Sequence, residues 1–314
     1  MRGSIPSRVR SYPLTDTLSQ MRPDLLLLIA DRYEMLAPAA VALTLRIPVA
    51  HIEGGEISEG AIDDAVRNAL TKMAHIHFTS TEAARNRVIS MGEESWRVHR
   101  AGAPSLDHLR RSKLLTREEL ERTLDINLAQ PPVIVAYHPV TLLDDTTEEA
   151  DALFDALAQI DSPILFCYPN ADAGSYALMQ RTRAFIEHRP TAHVFVNLPA
   201  VTYWSLLRHA SVLLGNSSSG IMEAASFALP VVNVGLRQFG RERAPNVLDA
   251  EASTHSILEK VAIAQSAAFY ESLRGMTNPY GDGHAAERIV EVLTTAPLDK
   301  LLRKRAISID LAQP

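Results

Sequence analysis

The chain has 314 residues, 46% of them hydrophobic and 22% charged, with a formal net charge of −6. That length suits about two domains, and the composition is that of a folded globular chain rather than a disordered one. Acidic and basic residues are interspersed, so nucleic acid is offered no basic stripe and any phosphate must be met by local cations.

The N-terminal stretch MRGSIPSRVRSYPL is basic but has no apolar core, so it does not read as a secretion signal. The longest apolar run, Leu25 to Ala30, is far short of the roughly twenty residues of a membrane span. DLLLLIA, ending at Asp31, reads as a strand buried on both faces of a parallel sheet. A helix is predicted from Glu34 to Leu45, then a strand in PVAHIE, a Gly-Gly turn and a helix from Ile62 to Met73. A strand in HIHFTS, a helix from Glu82 to Met91 and a strand from Arg97 to Ala101 follow. This alternation predicts a doubly wound parallel sheet.

A charged helical connector, Leu109 to Thr123, leads to Gln130-Pro131-Pro132, where the domain boundary is expected. The plan then repeats, with strands at Val133–Tyr137, Ile164–Tyr168, His193–Asn197, Val212–Gly215 and Val231–Val234 and a last helix from Ala285 to Leu293. The expected fold is α/β with two Rossmann-like domains. Residues 1–115 form the first and 130–284 the second, and a helix within 285–300 packs back on the first. Ligands of such domains sit at strand carboxyl ends, in the cleft between the two. The lone Cys167 lies in an apolar run and reads as a buried bystander in a reducing cytoplasm.

Acid and base groups gather past the strand ends of the first half: Asp31-Arg32, His51-Ile52-Glu53-Gly54-Gly55-Glu56, then Asp63-Asp64 and Arg67. Proton transfer at carbon needs one group to accept the proton and another to protonate a leaving oxygen, and crowded carboxylates separate their pKa values for these roles. Plainer readings are a structural Asp31–Arg32 ion pair, Asp63 as a helix-dipole residue, and packed histidines at His75 and His77. His51, Glu53, His75 and His77 lack the spacing of a zinc site.

In the second half, Asn216-Ser217-Ser218-Ser219-Gly220 joins a strand to a helix, offering backbone N–H groups and hydroxyls to a diphosphate. Glu223 lies one turn in, placed for ribose hydroxyls, and Arg237, Arg241 and Arg243 offer forked donors. The loop is not a Walker A motif; read plainly, it is a Ser-rich helix cap. His138, past another strand, and the loop carrying Asn170, Asp172 and Ser175 face the same ligand.

Taken in order, DRYEMLA, HIEGGEISEGAIDDAVRNALTKMAHIHF, GAPSLD, HPVT, PNADAGS, GNSSSGIMEA, NVGLRQFGRE, NVL and NPYGDG resemble the hydrolysing branch of the UDP-N-acetylglucosamine 2-epimerase family. The resemblance spans residues 31 to 283. It implies a glycosyltransferase-B-type fold with UDP held mainly by the second domain. It also implies a reaction without cofactor or metal: loss of the C2 proton and UDP to give a 2-acetamidoglucal, then syn hydration to N-acetylmannosamine. By motif, the catalytic carboxylates fall on Asp31, Glu53 and Asp63. Substrate and UDP contacts fall on Arg32, His51, Arg67, His138, Asn170, Asp172, Ser175, Ser217, Ser218, Ser219, Glu223 and Arg237. Members are commonly dimers or tetramers.

This chain departs from the family pattern in carrying Ala30 where glycine is usual and Asn68 where histidine is common. Its SEGAIDD stretch is longer than in some members, like branches acting on bacterial diacetamido-sugars. The first domain also reads as truncated, without the Gly-Thr-Arg-type loop that follows the family's first strand. Alternatives to the hydrolysing enzyme are the same reaction on a UDP-diacetamido-trideoxyhexose, a non-hydrolysing 2-epimerase, a glycosyltransferase of the same fold, and a non-catalytic sugar-nucleotide binder.

Overall fold

Runs of Val, Ile, Leu and Phe set the strands, and the strands form two separate parallel sheets. The computed structural model describes residues 13–29, 31–57, 62–138, 147–168, 176–305 and 307. Contacts divide these into two units: 13–57, 62–107 and 280 onward in the first, and 108–279 in the second.

The first unit holds β1 (Leu26–Ile29), β2 (Val49–Ile52), β3 (Ile76–Thr79) and β4 (Val98–Arg100), hydrogen-bonded in that order and all parallel. One face packs Leu28 and Val49 against Ala39, Ala42, Val66 and Leu70 of helices Leu36–Leu45 and Ile62–Met73. The other packs Ala50, Ile52, Ile76 and Phe78 against Ile289 of helix Ala285–Thr295 and Leu301. That helix lies on its unit because Asp107 caps it: its carboxylate accepts the Ala285 and Ala286 N–H groups at 2.8 and 2.7 Å. Two N–H groups at a helix start are thereby satisfied by one acid.

The expectation that β1 is buried on both faces does not hold. Leu28 is 4% exposed, but Leu27 and Ile29 are 46% and 51% exposed. β1 is the edge of the described sheet, and the helix covering the second face reaches β2 and β3.

The second unit holds β5 (Val133–Ala136), β6 (Ile164–Tyr168), β7 (Ala192–Val196), β8 (Val212–Gly215), β9 (Val231–Val234) and β10 (Val247–Ala250). Their order is β10-β9-β8-β5-β6-β7, again parallel. Valine, isoleucine, leucine and phenylalanine from β5, β6, β8 and β9 share one core with Leu153, Leu157, Ile257 and Val261. The predicted connector is two helices, Pro104–Arg111 and Arg117–Leu124. Thr116 forms a capping box with Glu119 that restarts the chain as helix after the break. Helix Pro13–Met21 and β10 were not anticipated, since neither stretch carries a sustained apolar period. No helix among the described residues is long and apolar enough to cross a membrane.

A buried ionic cluster ties the segment after Leu301 to the first unit. Glu93, fully buried, takes hydrogen bonds from Lys72 (2.5 Å) and His77 Nε2 (3.1 Å) and pairs with Lys304 at 2.6 Å. Burial opposes ionisation of Glu93, but these partners together hold its pKa down at about 2. Arg97, 1% exposed, donates to the carbonyls of His75, Leu301 and Arg303 and to Glu94. Burial lowers the His75 pKa to about 4, and its Nδ1 accepts the Val49 N–H at 3.1 Å.

Two outcomes follow. Arg97→Met removes the hydrogen bonds to three carbonyls and the ion pair with Glu94, and urea titration should show a loss of about 3 kcal/mol. His75 is neutral when folded and titrates near 6.5 when unfolded, so the unfolded chain takes up the extra proton first as pH falls. Its contribution is complete above about pH 6.5 and is lost on the way down to about 4. The slope of stability against pH in that window should therefore shrink in His75→Gln.

Candidate functional site

In the first unit the acids stand at the carboxyl ends of neighbouring strands. Asp31 follows β1, Glu53 follows β2, and Asp63 and Asp64 open helix Ile62–Met73. The turn after β2 is unusual. Glu53 has φ +68°, and Gly55 has φ +77° with no room for a side chain, since a Cβ there would run into the Ala84 carbonyl. A non-glycine residue in the left-handed region is costly and persists only where its surroundings impose it. Here the Glu53 N–H is held by the Phe78 carbonyl at 2.8 Å.

Arg67 binds these ends together. Its side chain is 2% exposed, and Nη2 forms a hydrogen-bonded ion pair with Asp31 Oδ2. Nη1 donates to the Glu56 carbonyl at 2.9 Å and lies 3.5 Å from Asp64 Oδ1. Asn68 Nδ2 donates to the other oxygen of Asp64 at 3.2 Å. The plainer reading, an Asp31–Arg32 ion pair, is not what forms, since Asp31 pairs with Arg67. Arg32 is exposed and lies 3.7 Å from Glu34, because the buried guanidinium offers Asp31 a desolvated partner. His51 and Arg67, expected at the substrate, are both buried: His51, on a central strand, is 0% exposed and Arg67 2%. Asp31, Glu53 and Asp63 are half-buried. His77, buried and held neutral by desolvation against the opposing pull of Glu93, belongs to the ionic cluster.

In the second unit the strand order reverses at β5, which has β8 on one side and β6 on the other. The crevice past the carboxyl ends at such a reversal is where open parallel sheets take ligands. His138 follows β5 and Asn216-Ser217 follows β8. A cavity of about 290 Å³ there is lined by His138, Tyr168, Asn197, Tyr203, Ser217 and Ser219, among others.

Asn216 builds this crevice. It is fully buried, accepts the His138 N–H at 2.7 Å and donates to the His138 carbonyl at 2.8 Å. Its own carbonyl accepts from Arg237 (2.9 Å) and Gln238 (2.8 Å). Gly215, φ +140°, brings the two loops together, since a Cβ there would collide with the Ala136 carbonyl. Ser217 caps helix Ser218–Met222, and hydroxyls run from Tyr203 to Ser219 (2.7 Å) and from Ser219 to Ser217 (3.0 Å). Burial raises the Tyr203 pKa, so its phenol stays protonated. Glu223 lies just past that helix, and burial raises its pKa against a hydrogen bond from Trp204. Arg243 pairs with Asp249, Arg241 lies 3.9 Å from the Met222 sulfur, and Arg237 donates to the Asn216 carbonyl at the crevice.

Asn170, Asp172 and Ser175 lie outside the described residues. Sequence reasoning passed over Gln238 and Tyr203, and named Asn216 and Glu56 only as parts of their segments. Asn216 stands beside the Ser run and was counted only as part of the loop. Tyr203 sits inside a helix whose pattern reads as core. Glu56 acts through its carbonyl, which no residue type advertises.

Residues 12–294 match the profile of the UDP-N-acetylglucosamine 2-epimerase family. The UDP-N,N'-diacetylbacillosamine 2-epimerase (hydrolyzing) of Legionella pneumophila is 37% identical over 90% of this chain and 74% of its own length. A GDP/UDP-N,N'-diacetylbacillosamine 2-epimerase (hydrolyzing) of Campylobacter jejuni is 35% identical over 76% of this chain, which spans 62% of that relative. In fold, the chain is similar to the UDP-GlcNAc 2-epimerase of Neisseria meningitidis bound to UDP-GlcNAc. The TM-score is 0.77 at 22% identity, over 90% of this chain and 79% of that one. With two parallel-sheet α/β units and a match of this extent, the chain belongs to the UDP-N-acetylglucosamine 2-epimerase family.

Proposed function

We propose that this chain is a hydrolysing 2-epimerase of a UDP-linked 2-acetamido sugar. The observation that carries the reading is Asp31 and Glu53 at adjacent strand ends, with Asp63 at the start of the helix that follows, in a chain of this family. A carboxylate removes the C2 proton of the sugar as the C1–O bond to UDP breaks, leaving a 2-acetamidoglucal. Water adds at C1 and a proton returns to the opposite face of C2, giving free UDP and the C2-inverted sugar. Asp31 or Asp63 exchanges the C2 proton, and Glu53 provides charge and orientation.

UDP falls to the second unit. The N–H groups of the Ser217–Ser219 turn and Arg237 meet the diphosphate, His138 meets phosphate or sugar, and Glu223 meets the ribose. A glycosyltransferase would have no use for proton exchange at C2, which argues against that alternative.

For the sugar, the relatives of Legionella pneumophila and Campylobacter jejuni favour UDP-N,N'-diacetylbacillosamine. A UDP-N-acetylglucosamine 2-epimerase of Neisseria meningitidis, 32% identical over 93% of this chain, supports UDP-N-acetylglucosamine as the second reading. Incubation with each nucleotide sugar, followed by chromatography, should give UDP and free sugar in equal amounts. In D₂O, deuterium should enter at C2. UDP remaining on an epimerised sugar would instead make this a non-hydrolysing epimerase, and binding without turnover would make it a binder.

Asp31→Asn, Glu53→Gln and Asp63→Asn should each lower kcat by about 100-fold or more with UDP affinity unchanged. Arg237→Ala should weaken UDP binding about tenfold by calorimetry, worth about 1.4 kcal/mol. Full turnover in Glu53→Gln would overturn the assignment of that residue.

A further inference from the structure

We infer that Arg67 is a positioning residue for the reaction. It fixes Asp31 and the turn carrying Glu53 from behind and does not itself contact the substrate. The inference rests on the epimerase reading above.

Among the described residues β1 pairs with β2. Asp31 lies just past the carboxyl end of β1, two residues beyond the last β1–β2 register pair, Ile29–Ile52. Proton transfer at carbon demands placement to a fraction of an ångström, and a shift of about 1 Å can cost about 100-fold in rate. A carboxylate in that role needs a partner that fixes its direction.

Arg67 is that partner. Its fork reaches three separate segments from one nearly inaccessible guanidinium: Asp31 after β1, the Glu56 carbonyl in the turn after β2, and Asp64 at the helix start. A planar fork fixes direction as well as distance, which a lysine ammonium does not. Asp31 meets it through Oδ2 alone, and its side chain remains 26% exposed, which leaves Oδ1 to meet a reactant. Holding the Glu56 carbonyl pins the turn whose first residue, Glu53, sits at φ +68°. Arg67 itself, at 2% exposure and with these partners, is not presented to a sugar or a phosphate.

The test is a kinetic comparison of Arg67→Lys, Arg67→Met, Asp31→Asn and the double variant Arg67→Met/Asp31→Asn, each checked for folding by circular dichroism and for UDP affinity by calorimetry. Arg67→Met should lower kcat about 100-fold and Arg67→Lys about tenfold, with KM and UDP affinity changed by less than about threefold. The double variant should lose clearly less than the product of the two single losses, because Arg67 acts in large part through Asp31. A raised KM with kcat preserved would show that Arg67 binds substrate, and multiplicative losses in the double variant would show that it acts independently. Either result overturns the inference. If Arg67→Met does not fold, Arg67→Lys paired with Asp31→Asn decides the question by the same criterion. An unaltered chain that turns over neither nucleotide sugar overturns the epimerase reading, and the inference falls with it, whereas full activity in Arg67→Lys and Arg67→Met overturns the inference alone.

Discussion

A strand leaving a parallel sheet carries backbone groups that must find partners away from the ladder, and buried polar groups left without them are costly. In each unit of this protein one buried polar side chain meets that demand at the carboxyl edge. Arg67 gathers the ends of β1 and β2 with a helix start, and Asn216 clamps the loop after β5 while its carbonyl gathers Arg237 and Gln238. The groups proposed for chemistry and for UDP hang from these two residues. The interior does not spend its polar contacts at random: the same hydrogen bonds that satisfy the backbone also set where the reactive groups point.

The fold restricts where this can happen. In the second unit the strand order reverses at β5, and a cavity bordered by hydroxyls lies past the strand ends there. In the first unit the acids lie past β1 and β2, at the same end of the sheet. A second polar system, Glu93 with Lys72, His77 and Lys304 and Arg97 with its three carbonyls, ties down the segment after Leu301. Its histidines are neutral and its ions paired. Buried titratable groups here mark a structural clamp, so a perturbed pKa alone does not identify the reactive site.

Much of this was legible in the residues. Short apolar runs bounded by turn residues locate nine of the ten described strands, because a strand covered on both faces has no polar period to obscure it. β10, VLDA, escapes that rule because Asp249 interrupts its short apolar run, and β1 departs from it by leaving Leu27 and Ile29 exposed. The Ser run and the acid cluster announce themselves by residue type. Asn216 and Glu56 do not, since one works by geometry against a distant loop and the other through its backbone.

The sequence by itself determined the alternation of strand and helix, the two-sheet plan, the family and the set of acids and hydroxyls placed at strand ends. These depend on local periodicity and on residue chemistry, which a linear string records. Only the tertiary structure decided which of those groups face outward and which stand behind them. Arg32, adjacent to Asp31 in the chain, is exposed, while Arg67, thirty-six positions away, is its partner. Pairing in a folded interior is settled by desolvation and by the direction a helix gives its side chains, and neither follows from distance along the chain.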